Sequence, residues 1–262
     1  MCAPDGDSAP APRLLSLMRA LMPRQLAEWL RGLRRLRARF RRMRRVATIP
    51  LESVEPTSRV FGLDRGLPID RCYIEEFLAR HSDDVRGRVL EIGDDAYTRK
   101  FGGSRVERCD VLHVRPGNPR ATIVADLSRA EHLPGEMFDC MVLTQTLQFI
   151  YDVRSAVRHC HRMLRPGGVL LATFPGISQI SRYDMERWGD FWRFTSLSAR
   201  RVFEEFFPPG NLTIESRGNA LAAVAFLHGL AAEELKPELL AHRDPDYEVL
   251  ITVRAVKPTQ PD

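Results

Sequence analysis

The feature that most constrains this chain is an alternation in which short apolar runs of strand length take turns with segments of helical period. The strand candidates are Arg88–Ile92, Asp110–Val114, Ala121–Val124, Asp139–Leu143, Val169–Phe174, Leu212–Arg217 and Tyr247–Val256. Around them stand Asp70–His81, Val153–Leu164, Ser198–Phe207 and Ala220–Leu235, read as helices. In the second of these, Val153, Val157, Cys160 and Leu164 recur at the 3.6-residue period, and Pro208 and Pro209 stop the third. Such runs need cover on both faces, which an alternating chain obtains from a parallel sheet between helix layers. The expectation is an α/β, Rossmann-like doubly wound sheet of seven strands, with ligands beyond the carboxyl ends of the strands.

With 262 residues, the chain can bury one sizeable core and little more. Residues 1–12 are expected to be disordered, 47–69 to be a linker, 70–257 to form the main domain and 258–262 a tail. Between 13 and 46 the reading is a basic amphipathic helical segment, because Leu26, Leu30, Leu33, Leu36, Phe40 and Met43 recur every three or four residues among arginines. Arg13 to Arg45 holds twelve Arg against the single acid Glu28, a charge of +11; with +5 overall, the remainder is about −6. The basic character therefore belongs to the N-terminus, and no nucleic-acid partner is expected of the main domain. That segment could dock on an anionic membrane surface or an acidic protein partner, or pack on its own domain with a solvated arginine face.

No apolar stretch approaches the roughly 20 residues of a bilayer-spanning helix. The five cysteines are odd in number and form no CxxC pair, which indicates neither a disulfide framework nor a zinc site and fits a reducing, cytoplasmic setting, with peripheral membrane attachment as an option. His159 and His161, two apart on a helix, point about 200° apart and do not suit one metal. No metal is expected.

Chemistry-bearing residues gather at the strand ends. The first strand runs Val89-Leu90-Glu91-Ile92-Gly93-Asp94-Asp95, with a carboxylate and a glycine where the chain must turn. The third ends Val124-Ala125-Asp126-Leu127, and the fourth is Phe138-Asp139-Cys140-Met141-Val142-Leu143-Thr144-Gln145. Before the fifth comes Leu164-Arg165-Pro166-Gly167-Gly168. This ordered set resembles the class I S-adenosylmethionine-dependent methyltransferases. Pro68-Ile69-Asp70-Arg71-Cys72-Tyr73 further resembles a pre-sheet segment of such enzymes associated with bacterial glycan biosynthesis.

The resemblance implies an antiparallel last strand and S-adenosylmethionine as cofactor. It places Glu91 and Gly93 at the methionine part, Asp126 and Leu127 at the adenine, and Thr144 and Gln145 on the methyl-donor side. The family usually continues acid-x-Gly with two more glycines at alternate positions; here Asp95 and Tyr97 stand there, and Asp94 or Asp95 could pair with the cofactor ammonium. The acid that family members use for the ribose is replaced by His113, a neutral substitute. Asp126 can equally serve as a helix N-cap.

After the fifth strand, Tyr183 to Thr195 packs two Trp, a Tyr and two Asp into thirteen residues. Beyond a strand's carboxyl end this reads as an acceptor pocket with flat walls suited to sugar or aromatic rings, or as a hydrophobic cluster under a loop. Tyr183, Asp184 and Asp190 are the candidate proton acceptors; Tyr73, Trp188, Trp192 and Arg193 are the candidate substrate contacts. The function expected is methyl transfer, at oxygen, to a small-molecule or glycan-type acceptor. Two alternatives stay open: a non-catalytic binding or scaffold protein of this fold, and an NADP-dependent oxidoreductase, which Arg115 would suit.

Overall fold

The computed structural model describes residues 53–259. The segments 1–12 and 13–46, read above as disordered and as a basic helix, lie outside the described residues, as do 47–52 of the linker and 260–262 of the tail. Among the described residues, seven strands form one sheet: β1 (Gly87–Ile92), β2 (Val106–His113), β3 (Ile123–Val124), β4 (Phe138–Thr144), β5 (Leu164–Pro175), β6 (Leu212–Arg217) and β7 (Leu250–Val256). Their order is β3-β2-β1-β4-β5-β7-β6. Strands β1 to β5 pair in parallel, and β7 runs antiparallel to both its neighbours, β5 and β6. The α/β doubly wound sheet expected from the alternation is the fold that forms, with the antiparallel last strand that the resemblance implies.

Period-two alternation divides the strand residues between two cores. On one face Leu90, Met141, Leu143, Leu170 and Ala172 pack with α2 (Val153–Met163) and α4 (Ser196–Glu204). On the other, Val89, Cys140, Val142, Val169 and Leu171 pack with α1 (Ile69–Arg80) and α5 (Ala220–Leu227). Side chains buried this fully contribute roughly 1.5–3 kcal/mol each. Polar groups set the helix starts: Asp152 accepts the Ser155 amide at 3.0 Å, Thr195 the Ser198 amide at 3.1 Å, and Ser181 the Asp184 amide at 3.4 Å ahead of the short α3 (Arg182–Met185).

Several element boundaries differ from the sequence reading; β5, for one, starts at Leu164 and not Val169. Strand β2 begins at Val106, not Asp110, because its first turns carry exposed Glu107 and Arg108, which an apolar-run criterion passes over. The helix expected over 220–235 breaks after Leu227. Gly229 takes φ +70°, and a Cβ there would stand 2.4 Å from the Ser58 carbonyl oxygen. A short turn (Ala232–Glu234) and α6 (Pro237–Ala241) follow.

The break lies where residues 53–68, read as linker, cross the domain. Ser58 donates its amide to the His228 carbonyl at 3.1 Å, Leu67 accepts the Ala232 amide at 2.7 Å, and Arg65 Nε reaches the buried Glu234 at 2.9 Å. These bonds pin the segment against the α5 side of the sheet. No helix among the described residues is long and apolar enough to cross a membrane.

Candidate active site

Strand order reverses between β1 and β4, so the chain leaves their carboxyl ends in opposite directions and opens a crevice there. Two lobes, of about 510 and 610 Å³, occupy it and share Ile92, Thr144, Gln145, Phe149 and Asp184. The first lobe lies toward α1 and residues 61–68; the second lies over β2 and β3.

The turn after β1 is organised by Glu91. Its carboxylate is 3% exposed and accepts the amides of Tyr97 at 3.1 Å and Thr98 at 2.7 Å. Burial raises its pKa above the ordinary carboxylate value, and those amides offset part of the rise. Gly93 follows at φ +83°, where glycine is favoured, and no protein atom lies within 4 Å of the place a Cβ would take. That open space belongs to the second lobe.

The second lobe gathers His113, Asp126, Leu127, Trp188 and Phe191. Asp126 accepts the Ser128 amide and hydroxyl, both at 2.8 Å, so it caps the Leu127–Arg129 turn and faces the lobe as well. His113 Nδ1 stands 2.7 Å from the Arg115 carbonyl, and the ring meets Trp188 edge-on with centroids 5.7 Å apart. Trp188, expected among the acceptor contacts, thus sits with the residues expected around the nucleoside, because its Nε1 is drawn to Asp184 at 3.0 Å.

Gln145, shared by both lobes, takes φ +47° and is held by its amide to the Thr173 carbonyl at 3.1 Å. Non-glycine residues in this region are uncommon. Gln148, three residues on, donates to Gln145 Oε1 at 2.9 Å; it is buried, lines the first lobe, and its own Oε1 has no partner.

Several expected site residues stand elsewhere. Tyr73 is 2% exposed, and its hydroxyl donates to the Leu240 carbonyl at 3.0 Å; burial pushes its pKa up to about 12, and it is core. Tyr183 is 63% exposed, lies under the Arg187 guanidinium at 3.5 Å, and lines neither lobe. Trp192 stacks on Tyr151 and donates to the Ile150 carbonyl at 3.1 Å, also outside both lobes. Asp95 turns to Arg99 at 2.7 Å and Arg120 at 3.1 Å, away from the cleft.

Asp184, Asp190 and Arg193 do reach the first lobe, already engaged. Asp184 accepts from Ser181 Oγ at 2.5 Å and from Trp188 Nε1. Asp190 accepts two Arg193 bonds, at 2.6 and 3.0 Å, and the Ser181 amide at 2.9 Å. Burial raises its pKa, but these bonds outweigh burial and hold it below the usual carboxylate range.

The group that sequence reasoning missed is Asp70, at the start of α1. It lines the first lobe and accepts only the adjacent Arg71 amide, at 2.8 Å. Burial lifts its pKa to about 6. The signal lies in Pro68–Tyr73, a stretch whose resemblance carries no role for the acid. Among the described residues no group of three or more His, Cys, Asp or Glu could hold a metal ion; His159 instead faces Glu131 at 3.1 Å, and His161 packs on Phe207.

Residues 100–172 match the methyltransferase domain family. The match begins just after the turn that lacks the further glycines and ends in β5. A Mycolicibacterium smegmatis protein named "Probable S-adenosylmethionine-dependent methyltransferase" is 34% identical over 77 residues, 29% of this chain and 30% of that protein. The match therefore spans less than a third of the relative's length. Among solved structures, the N-methyltransferase NodS from Bradyrhizobium japonicum, in complex with S-adenosylhomocysteine, is 19% identical over 84% of this chain and 98% of its own, at a TM-score of 0.44. A SAM-dependent methyltransferase from Archaeoglobus fulgidus is 11% identical over 71% and 94%, at 0.48.

Proposed function

We propose that the chain is an S-adenosylmethionine-dependent methyltransferase acting at oxygen on a small-molecule or glycan-type acceptor. The observation that carries this reading is the two-lobed crevice at the β1/β4 switch point, whose lobes meet at Thr144 and Gln145. A cofactor lying across the crevice would put its nucleoside in the second lobe and its reactive end where the lobes join. The residues fit that ligand: Leu127 and Trp188 give apolar walls, Asp126 an acceptor for an adenine amino group, and Gly93 a cradle that any side chain would fill. When bound, the cofactor supplies an electrophilic methyl group.

The first lobe supports a polar, hydroxyl-bearing acceptor, since Gln148, Gln179 and Ser178 line it together with Arg193. Its position beside the junction orients an acceptor toward the second lobe, which is much of what a displacement needs. Of the carboxylates there, Asp70 is suited to take the acceptor's proton, because Asp184 and Asp190 are committed to Ser181, Trp188 and Arg193.

Calorimetry on the purified full chain tests the reading, with S-adenosylmethionine and S-adenosylhomocysteine as ligands and NADP as control. Micromolar binding of the first two, about −8 kcal/mol, is expected. Silence from both leaves a scaffold of this fold, and selective NADP binding an oxidoreductase.

A further inference from the structure

We propose that Arg71, in the first turn of α1, holds the carboxylate of the cofactor's amino-acid end, in place of backbone amides from the turn after β1. This inference rests on the methyltransferase reading above.

The first observation is an inventory of that turn. The Gly93 amide goes to the Leu112 carbonyl, Ala96 to Asp94 Oδ1, Tyr97 and Thr98 to Glu91, and Arg99 to the Asp95 carbonyl. A turn so occupied has few donors left for an anion, and its own Glu91 and Asp94 carboxylates face the same lobe. A carboxylate arriving there needs a cation.

The second observation is which cation is available. Arg71, Lys100 and Arg193 line the first lobe. Lys100 pairs with Glu75 at 2.7 Å and Arg193 with Asp190 at 2.6 Å. Among the described residues, Arg71 makes no ion pair within 4 Å, although Glu75 sits four residues along the same helix face. Arg71 lines the first lobe together with Tyr97 of the turn after β1. Its planar fork offers two parallel bonds to a carboxylate, which a lysine point charge cannot.

The third is charge balance. The lobe is lined by Asp70, Glu75, Glu91, Asp94, Asp184 and Asp190 against those three cations. An excess of acids welcomes the ammonium of an amino acid and repels its carboxylate unless one cation meets that carboxylate directly.

The test compares two ligands by calorimetry on the full chain. S-adenosylhomocysteine carries the amino-acid end, whereas 5′-methylthioadenosine keeps the nucleoside and thioether without it. Arg71→Ala is expected to weaken S-adenosylhomocysteine roughly tenfold or more while leaving 5′-methylthioadenosine within about twofold, as for a lost charge-assisted contact. Arg71→Lys should fall between. Unchanged S-adenosylhomocysteine affinity in Arg71→Ala overturns the inference, as does an equal loss of both ligands in Arg71→Ala and Arg71→Lys. Failure of the unaltered chain to bind either ligand is a different result: it removes the methyltransferase reading and this inference with it.

Discussion

Glu91 Oε2 accepts the Thr98 amide at 2.7 Å, tying the last turn of β1 to the segment seven residues on. The family resemblance assigns that acid to the cofactor, yet its first partners are the backbone of its own loop. Both roles are compatible, since a carboxylate has about four acceptor sites. Removing it should therefore cost stability before it costs binding. Glu91→Ala leaves the Tyr97 and Thr98 amides without their partner, at about 1–3 kcal/mol for each buried donor. We expect thermal denaturation to show a midpoint lowered by about 5–10 °C, with Glu91→Gln losing less because its amide oxygen still accepts one bond. A midpoint unchanged in Glu91→Ala contradicts the organising role.

Asp70 should make stability fall with rising pH. Its folded pKa, raised by burial to about 6, lies above the ordinary 3.8, so the folded state holds the proton more tightly than the unfolded chain. The stability this contributes is fully present below about pH 3.8 and lost as pH rises through 6. Asp70→Asn, which cannot ionise, should gain midpoint over the unaltered chain between pH 4 and 8, by up to roughly 6–12 °C at the upper end, with the two curves converging at the acid end. Parallel curves across this range would place the perturbation elsewhere.

Tyr73 separates the core from the site. Losing its hydroxyl removes one bond to the Leu240 carbonyl and opens no contact with the cleft. Tyr73→Phe should cost about 1 kcal/mol in urea unfolding and leave S-adenosylhomocysteine affinity unchanged. A selective loss of binding with stability intact would return the residue to the site.

These cases show what sequence could and could not convey. The sheet was legible because strands such as Met141, Val142 and Leu143 are apolar on both faces, and burial on both faces needs two helix layers. Tyr73, expected to touch the acceptor, is core instead: Ile69, Tyr73 and Phe77 recur at helical spacing on the buried side of α1, a pattern that outweighs the resemblance. The acceptor lobe was not, because its composition depends on which polar groups satisfy one another. Ser181 and Trp188 occupy Asp184, and Arg193 occupies Asp190, pairings made by local loop geometry with no periodic signature. Asp70 becomes the available acid only once the Phe61–Pro68 segment and β1 are folded around the same lobe.

Gly93 and Gly176 should respond in opposite ways to one added methyl group. A Cβ on Gly176 would stand 2.0 Å from the Glu248 carbonyl oxygen, where backbone must move, so Gly176→Ala should destabilise the fold by about 1–3 kcal/mol or more. At Gly93 the same atom meets no protein atom within 4 Å, and the cost is about 1–2 kcal/mol of backbone strain from its φ of +83°. The new methyl would instead project into the space the cofactor is proposed to fill. Gly93→Ala should therefore lower the thermal midpoint by only about 2–8 °C but weaken S-adenosylhomocysteine binding at least tenfold by calorimetry. Full affinity in a folded Gly93→Ala variant would move the ligand away from the end of β1 and, with it, the methyl-transfer geometry at Thr144 and Gln145.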